Sequence, residues 1–390
     1  MPRGAPRKRN QWPGIGLAHP RSGEEGPAIS FDLLRLDGSY GEGGGQIVRT
    51  ALALAVLGRR PVVLTRIRAG RPRPGLRPQH LTVVRALAAI SDATVAGAAL
   101  GSSELTFAPR ALGGGTYRFD VGEIKGSAGS VSLLFQALLL SLAFADAPSR
   151  LTLVGGTHVP WSPPVHYLTA VFLPLLREVG VEAALVLRRW GWYPAGGGEI
   201  EATISPAGAV RGIQPGSDPS LSLHGLSVVS HLPRAIAERQ RRRAEGRLAA
   251  AGITVDIAVE EDTGARGPGT FLFLASPGRA GFSALGRRGV PAERVADEAI
   301  EPLLAYRRSG AAVDDHLADQ LLPFLALAAS DSLLTCPTVS THLETVAWVV
   351  EQFLPARIAL DAGPPARVRV SSPRHEPGTR DANGGGAGSR

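Results

Sequence analysis

The chain has 390 residues, with 42 lysines plus arginines against 34 aspartates plus glutamates, a formal net charge of +8 at pH 7. Only Lys8 and Lys125 are lysine, so 40 arginines carry the positive charge; the planar fork that suits phosphate is abundant, and the amine that can become a nucleophile is nearly absent. Hydrophobic residues at 44% and charged residues at 19% are globular values, the single Cys336 excludes an internal disulfide and a cysteine-based zinc cluster, and no apolar run reaches the roughly 18–20 residues of a membrane helix.

Residues 1–29 are rich in Pro, Gly and Arg and lack hydrophobic periodicity, so a disordered basic arm is expected there. No apolar segment follows the basic residues, which argues against a secretory signal and, with the lone cysteine, points to the cytoplasm. The tail 372–390 has the same texture. The folded part should span roughly residues 30–371.

The first informative stretch is LDGSYGEGGGQIVRTALALA, from residue 36. A glycine-dense turn entering a helix presents backbone N–H groups to an anion. It is not a common nucleotide loop: no GxxxxGK[ST] occurs, and Gln46 stands where the last glycine of GxGxxG should be. Glu42 could hold a divalent metal beside phosphates, and Arg49 lies one turn into the helix. Phosphate binding and a tight structural turn both account for the spacing. The segment 66–80, RIRAGRPRPGLRPQH, carries Arg66, Arg68, Arg71, Arg73 and Arg77 with no acid. Such a loop repels itself unless an anion neutralises it.

Three segments share a pattern: QHLTVVRALAAISDATV from residue 79, VHYLTAVFLPLLREVGVEAAL from 165 and THLETVAWVVEQFLPARIAL from 341. Each sets a histidine (His80, His166, His342) near the start of an amphipathic helix that leads into a β-rich stretch. Another apolar helix lies upstream of each, at 46–57, 130–144 and 317–329. An α+β fold of three repeated two-helix, β-sheet units follows. Between the second and third units the order strand, Arg-rich helix, two strands, helix predicts a small inserted α/β domain at 215–310. The large domain is then discontinuous, 30–214 with 311–371. The cluster Arg239, Arg241, Arg242, Arg243 and Arg247 reads as a solvated helix face, with RNA contact as the sharper alternative.

A second glycine loop, GSAGSVSLLFQ from residue 126, opens a helix carrying Gln136. Trp161, Trp192 and Tyr193 sit beside turns and read as core and turn packing, with stacking on a base as the alternative. Thr341-His342-Leu343-Glu344 fits a capping box with Thr341 as N-cap. His342 then lies in a first helical turn, where the helix dipole disfavours a positive ring, and a neutral imidazole is a competent nucleophile at phosphorus. His80 and His166 occupy equivalent places, so position alone does not single out His342.

The motifs DGSYGEGGGQIVRT, IRAGRPRPGLRPQHL, GSAGSVSLLFQ, GWYPAGGG, HLADQL and STHLET, in this order, resemble those of the RNA 3′-terminal phosphate cyclases. The likeness covers about residues 31–371. It implies an ATP-dependent enzyme that turns a 3′-terminal RNA phosphate into a 2′,3′-cyclic phosphodiester through a covalent histidine–AMP, with Mg²⁺ or Mn²⁺. Matched motif by motif, it assigns the nucleophile to His342 and ATP contacts to Gln136, Asp315, His316, Leu317, Ala318 and Asp319. It assigns a place near metal and phosphates to Glu42, and the RNA-end site to Gln46, Arg49, Arg68, Arg71, Gln79 and His80. The implied fold is similar to EPSP synthase, three α/β units with a smaller domain inserted before the third.

Sequences of that family usually carry Glu and Tyr where this chain has Asp315 and His316, so His316 becomes a second histidine to test as nucleophile. The expected partner is RNA with a 3′-terminal phosphate and not a membrane; oligomeric state is left open, a homodimer being the assembly considered. Two other functions remain: a non-catalytic cyclase-like protein that binds RNA in ribosome assembly, and an EPSP-synthase-like transferase acting on a phosphorylated small molecule.

Overall fold

The computed structural model describes residues 33–372 apart from 125, 127 and 217–221. The expected arm 1–29, the tail beyond Ser372 and both lysines therefore lie outside the described residues. The fold is mixed α+β, with four small sheets among the described residues, three of them mixed and one antiparallel.

The first sheet is built from β1 (Leu34–Asp37), β2 (Val62–Thr65), β3 (Thr94–Ala96) and β4 (Leu105–Ala108), in the order β1-β2-β4-β3. β1 and β2 run parallel, and the other pairs are antiparallel. A parallel pair needs a crossover, supplied by α1 (Gly45–Gly58), while α2 (Pro78–Ser91) joins β2 to β3. The second sheet, of β5 (Thr116–Asp120), β6 (Ser149–Gly155), β7 (Ala183–Arg189) and β8 (Gly198–Ile204), has the order β5-β6-β8-β7, with the same strand directions. Its crossover is α3 (Val131–Leu142), capped by the Ser130 hydroxyl. Its second helix is composite: α4 (Val165–Tyr167), a π-helical turn (Leu168–Phe172) and α5 (Leu173–Glu178).

Next come β9 (Leu223–Ser230), α6 (Ala235–Ala250), β10 (Val255–Asp262), β11 (Gly269–Ser276), β12 (Ala280–Leu285) and α7 (Ala292–Ser309), with sheet order β10-β9-β11-β12. The expected two strands before α7 are three, because the Gly-interrupted β12 (AGFSAL) gives a weak strand signal. β11 is buried on both faces. Leu272 and Leu274 join a core with Leu248 and Ile300 of α6 and α7, while the alternate Phe271, Phe273 and Ala275 join the main core.

The chain closes with α8 (Asp315–Leu325), β13 (Ser332–Cys336), α9 (Thr341–Phe353), β14 (Arg357–Asp361) and β15 (Ala366–Ser371), whose sheet runs β13-β15-β14. This repeats the order of the last three strands in each of the first two sheets. Beside β13, the Ile213 carbonyl accepts from the Leu333 N–H at 2.9 Å and the Val210 carbonyl accepts from the Ala329 N–H at 2.9 Å.

Apolar runs explain the middle of the molecule. α1 packs against α2, α3 and α9, and Ile47, Val48, Ala51, Leu52, Leu54, Ala55 and Val56 are all buried, the composition of a helix enclosed on every side. Its N-terminus therefore opens beside the start of α9.

Candidate active site

A cavity of about 920 Å³ opens where the N-terminal turns of α1, α8 and α9 meet. Glu42, Gln46, Arg49, Gln136, Asp315, His316, Asp319 and His342 all line it. Those expected site residues, scattered over three hundred positions, are thus brought together. Leu317 and Ala318 are not on the wall: both side chains are wholly buried in the core. Arg68, Arg71, Gln79 and His80 are not on the wall; Arg71 and His80 stand against the glycine loop from behind.

The starts of α8 and α9 are each fixed by a capping side chain, while Gly44 before α1 supplies none. Ser340, not Thr341, caps α9: its hydroxyl accepts from the Leu343 N–H at 3.1 Å. His342 consequently still falls in the first turn, one place further in than the cap position would allow for Thr341. The Thr341 carbonyl accepts instead from the Thr345 hydroxyl at 2.6 Å. Asp314 caps α8, accepting from the Leu317 N–H at 2.8 Å. The same buried carboxylate accepts from Tyr167 Oη at 2.9 Å and from the Gly281 N–H at 2.9 Å, tying α4 and β12 to the start of α8. Burial raises the Asp314 carboxyl to about 6.

α8 and α9 pack together, and this sets the histidine. Nδ1 of His342 lies 3.0 Å from Oδ2 of Asp319, close enough for an ion pair but without hydrogen-bond alignment, and the aspartate side chain is only 5% exposed against 38% for the histidine. Nε2 lies 3.8 Å from Oε2 of Glu42. Glu42 also pairs with Arg71. Arg49 is enclosed beside them; burial pulls its guanidinium down to about 10, while Asp319 and Glu42 act the other way, so it remains a cation at neutral pH.

The glycine loop is pinned to α9. The Glu42 N–H donates to Thr345 Oγ1 at 3.1 Å, and Gln46 Nε2 donates to the His342 carbonyl at 3.4 Å. Gly41 has φ +54°, and a Cβ there would stand 2.3 Å from Thr345 Oγ1, so both conformation and contact require glycine. Tyr40 stacks on Trp348 of α9, ring centroids 4.1 Å apart. Gln136 donates to Gln320 Oε1 at 2.7 Å, joining α3 to α8.

His80 lies under this loop, 2% exposed. Its Nδ1 accepts from the Arg77 N–H at 3.0 Å. Burial, followed by Arg49, Arg68 and Arg77, lowers it to about 3; the ring is neutral, and its Nε2 would be 2.2 Å from a Cβ on Gly45. Arg68, at φ +55°, donates to the carbonyls of Arg73 (2.7 Å) and Gly75 (3.0 Å), folding its own loop. Burial, Arg77 and Arg71 lower its guanidinium.

Asp314, Tyr167, Thr345 and the Tyr40–Trp348 pair were not among the expected residues. Of these, only Asp314 has a readable local signal, an aspartate directly before an apolar-periodic helix. The others act across long sequence separations. Among the turn aromatics, Trp192 is buried and donates Nε1–H to Ser230 Oγ at 2.8 Å, as packing predicted. Trp161 is the reverse: it is 99% exposed.

Among the described residues no group of three or more His, Cys, Asp or Glu side chains is arranged to hold a metal ion. Mg²⁺ commonly takes one or two carboxylates with substrate phosphates and water supplying the rest. Glu42 beside the loop fits that donor set, with Arg71 as its present partner. Among those residues no helix is long and apolar enough to cross a membrane.

The model of the family described as RNA 3′-terminal phosphate cyclase matches residues 40–360. A protein of Methylococcus capsulatus bearing that name is 48% identical over 336 residues, covering 84% of this chain and 92% of its own. One of Pyrobaculum neutrophilum, also so named, is 43% identical over 343 residues, covering 86% and 98%. Among solved structures, the enolpyruvyl transferase NikO from Streptomyces tendae aligns with 88% of this chain and 66% of its own at 11% identity and TM-score 0.24, a likeness too slight to bear on the fold. A family match across the three helix starts that build the cavity, joined to relatives aligned over most of both chains, leaves one conclusion: this chain belongs to the RNA 3′-terminal phosphate cyclase family.

Proposed function

We propose that the chain converts an RNA 3′-terminal phosphate into a 2′,3′-cyclic phosphodiester at the expense of ATP, with His342 as the nucleophile. The observation that carries this is the 3.0 Å approach of Asp319 Oδ2 to His342 Nδ1 on the wall of the cavity. A small turn of the imidazole would set Nδ1–H on that carboxylate, holding the proton there and leaving the Nε2 lone pair free.

Nε2 of His342 then forms a bond to the α-phosphorus of ATP as the bond to pyrophosphate breaks. Asp319 stabilises the positive ring so created. An oxygen of the RNA 3′-phosphate displaces the histidine, taking AMP and restoring a neutral imidazole. The 2′-hydroxyl next attacks the activated 3′-phosphorus, AMP departs with its bonding electrons, and the hydroxyl proton passes to base. That last step is intramolecular and gains from proximity. Catalysis at phosphorus rests on positioning and charge neutralisation. In this reading Arg49 and the α1 N-terminus meet the phosphates, Gln46 holds the loop, and Arg71 steadies Glu42 from behind it. Arg68, Gln79 and His80 shape the loop for the RNA end, and Gln136, Asp315, His316 and the α8 backbone border the nucleotide. Glu42 would hold a divalent ion, which supplies charge neutralisation on the phosphates.

The architecture enters the same proposal. Matching strand orders in three sheets support three copies of one unit in a body of residues 30–214 and 311–371, arranged as in EPSP synthase. Residues 215–310 form the insert, and the segment 210–213 beside β13 stands where the first strand of the third unit belongs.

Incubation with ATP labelled at the α-phosphate tests the proposal. Label should stay on the wild-type protein and on His316→Ala and be absent from His342→Ala. A terminal 2′-deoxy, 3′-phosphate substrate should be adenylated and not cyclised. No adduct on the wild type would revive the non-catalytic RNA-binding reading, and an adduct lost only in His316→Ala would move the nucleophile.

A further inference from the structure

Trp161 has the most exposed large apolar side chain among the described residues and lines the same cavity as His342. Its backbone is left-handed, φ +65°, a conformation that a bulky residue seldom adopts and that tends to mark functional sites. The root of its loop is nevertheless firm. His158 is buried and bridges to Trp192, Ser162 Oγ donates to the Val159 carbonyl at 3.1 Å, and Pro160, Pro163 and Pro164 stiffen the turn. A rigid loop therefore carries an indole with both faces bare.

The other six-membered aromatic rings on the cavity wall offer less. Tyr167, Phe172, Tyr306 and Phe324 are buried, and Phe282 is half-buried and packed against the core of α6 and α7. Only the smaller imidazole of His316 shares the exposure. An indole gives a wide, flat, sequence-tolerant surface for a nucleobase, and Arg49 with His342 supplies the phosphate-directed end of the same cavity.

We propose that Trp161 is a stacking platform for a nucleobase at this cavity. The inference rests on the functional reading above, in which both ATP and an RNA end enter here; either brings a base, and two assay arms separate them. The first measures the ATP concentration for half-maximal adduct formation without RNA. The second measures the 3′-phosphorylated RNA concentration for half-maximal cyclisation at saturating ATP. Trp161→Ala should raise the value in at least one arm roughly ten- to hundredfold, and Trp161→Phe should fall between it and wild type. Tyr193→Ala, which removes an exposed aromatic outside the cavity, should change neither. Because Trp161 packs against nothing, its replacement leaves the core intact. A rise in the ATP arm assigns adenine, and a rise in the RNA arm assigns the terminal base. Both arms within twofold of wild type overturn the proposal. If the wild type forms no adduct, the enzymatic reading fails separately. Stacking is then read by fluorescence quenching during titration with ATP or a 3′-phosphorylated oligoribonucleotide: equal quenching in wild type and Trp161→Phe overturns it, and quenching lost in the variant sustains it.

Discussion

Asp319 reaches His342 across the contact between two helices, Oδ2 to Nδ1 at 3.0 Å, from a position almost closed to solvent. A carboxylate so enclosed is costly unless a partner meets it, and Arg49 is a neighbouring cation. Asp319→Asn should keep the shape of the contact while replacing an acceptor with an amide that can present its donor to Nδ1. Adduct formation should then fall by on the order of 10²–10⁴-fold, the scale seen when the carboxylate partner of a catalytic histidine is neutralised. His316→Ala should still form the adduct, since the bond is made by His342. Stopped-time labelling with α-labelled ATP reads both, and an Asp319→Asn variant as fast as wild type would remove the orienting role.

Gly45 and His80 form a second pair whose coupling is measurable. A Cβ on Gly45 would meet His80 Nε2 at 2.2 Å, and the imidazole is held by the Arg77 N–H. Gly45→Ala should therefore destabilise the fold by about 1–3 kcal/mol through overpacking. His80→Ala removes the obstacle, so the double variant should be more stable than the two single losses summed, by about 1 kcal/mol or more. Urea unfolding of the four proteins closes the cycle. Strict additivity would mean that the loop moves away from the ring instead.

How much of this was legible in the sequence follows from distance along the chain. The glycine loop, the helix carrying His342 and the acid-free arginine loop are local signals, as is the alternation of apolar runs that gives α+β. Ser340 and Thr341 are both good caps for α9, and only the hydroxyl that accepts from Leu343 decides between them. β12 was missed for want of β-branched residues. The pinning of Glu42 by Thr345, 303 positions away, has no local signature, and neither does the bare face of Trp161, since exposure belongs to the folded loop.

Three of the five arginines of α6 make a ladder with α7: Arg239 with Glu293 at 2.7 Å, Arg243 with Asp297 at 2.9 Å, and Arg247 with Asp297 at 3.1 Å and Glu301 at 2.7 Å. Spaced four apart on both helices, these pairs face each other and agree with the solvated-face reading; their charge is already met by acids. Arg239→Ala/Arg243→Ala/Arg247→Ala should lower the melting temperature, with a smaller difference from wild type in 0.5 M salt than in low salt. The RNA concentration for half-maximal cyclisation should not change. A severalfold rise in that concentration would instead make the ladder an RNA contact.

His158 and His166 give the fold a pH dependence. Nε2 of His158 lies 2.9 Å from Nδ1 of His166, and Trp190, Trp192 and Phe271 surround the pair. Burial lowers His166 to about 4; burial and then the neighbouring His166 hold His158 well below the ordinary value. Both rings are therefore neutral in the fold, and above about pH 6.5 they are neutral in the unfolded chain too, so stability is fully present there. Below that pH the unfolded chain takes up protons that the fold refuses. Each ring then costs about 1.4 kcal/mol per pH unit, and His166 alone about 3 kcal/mol by pH 4. Urea midpoints between pH 7.5 and pH 4.5 should show this decline in the wild type and a shallower one in His166→Gln, whose amide does not titrate. Parallel declines in the two proteins would place the acid sensitivity elsewhere, in groups such as His80, which burial also keeps neutral.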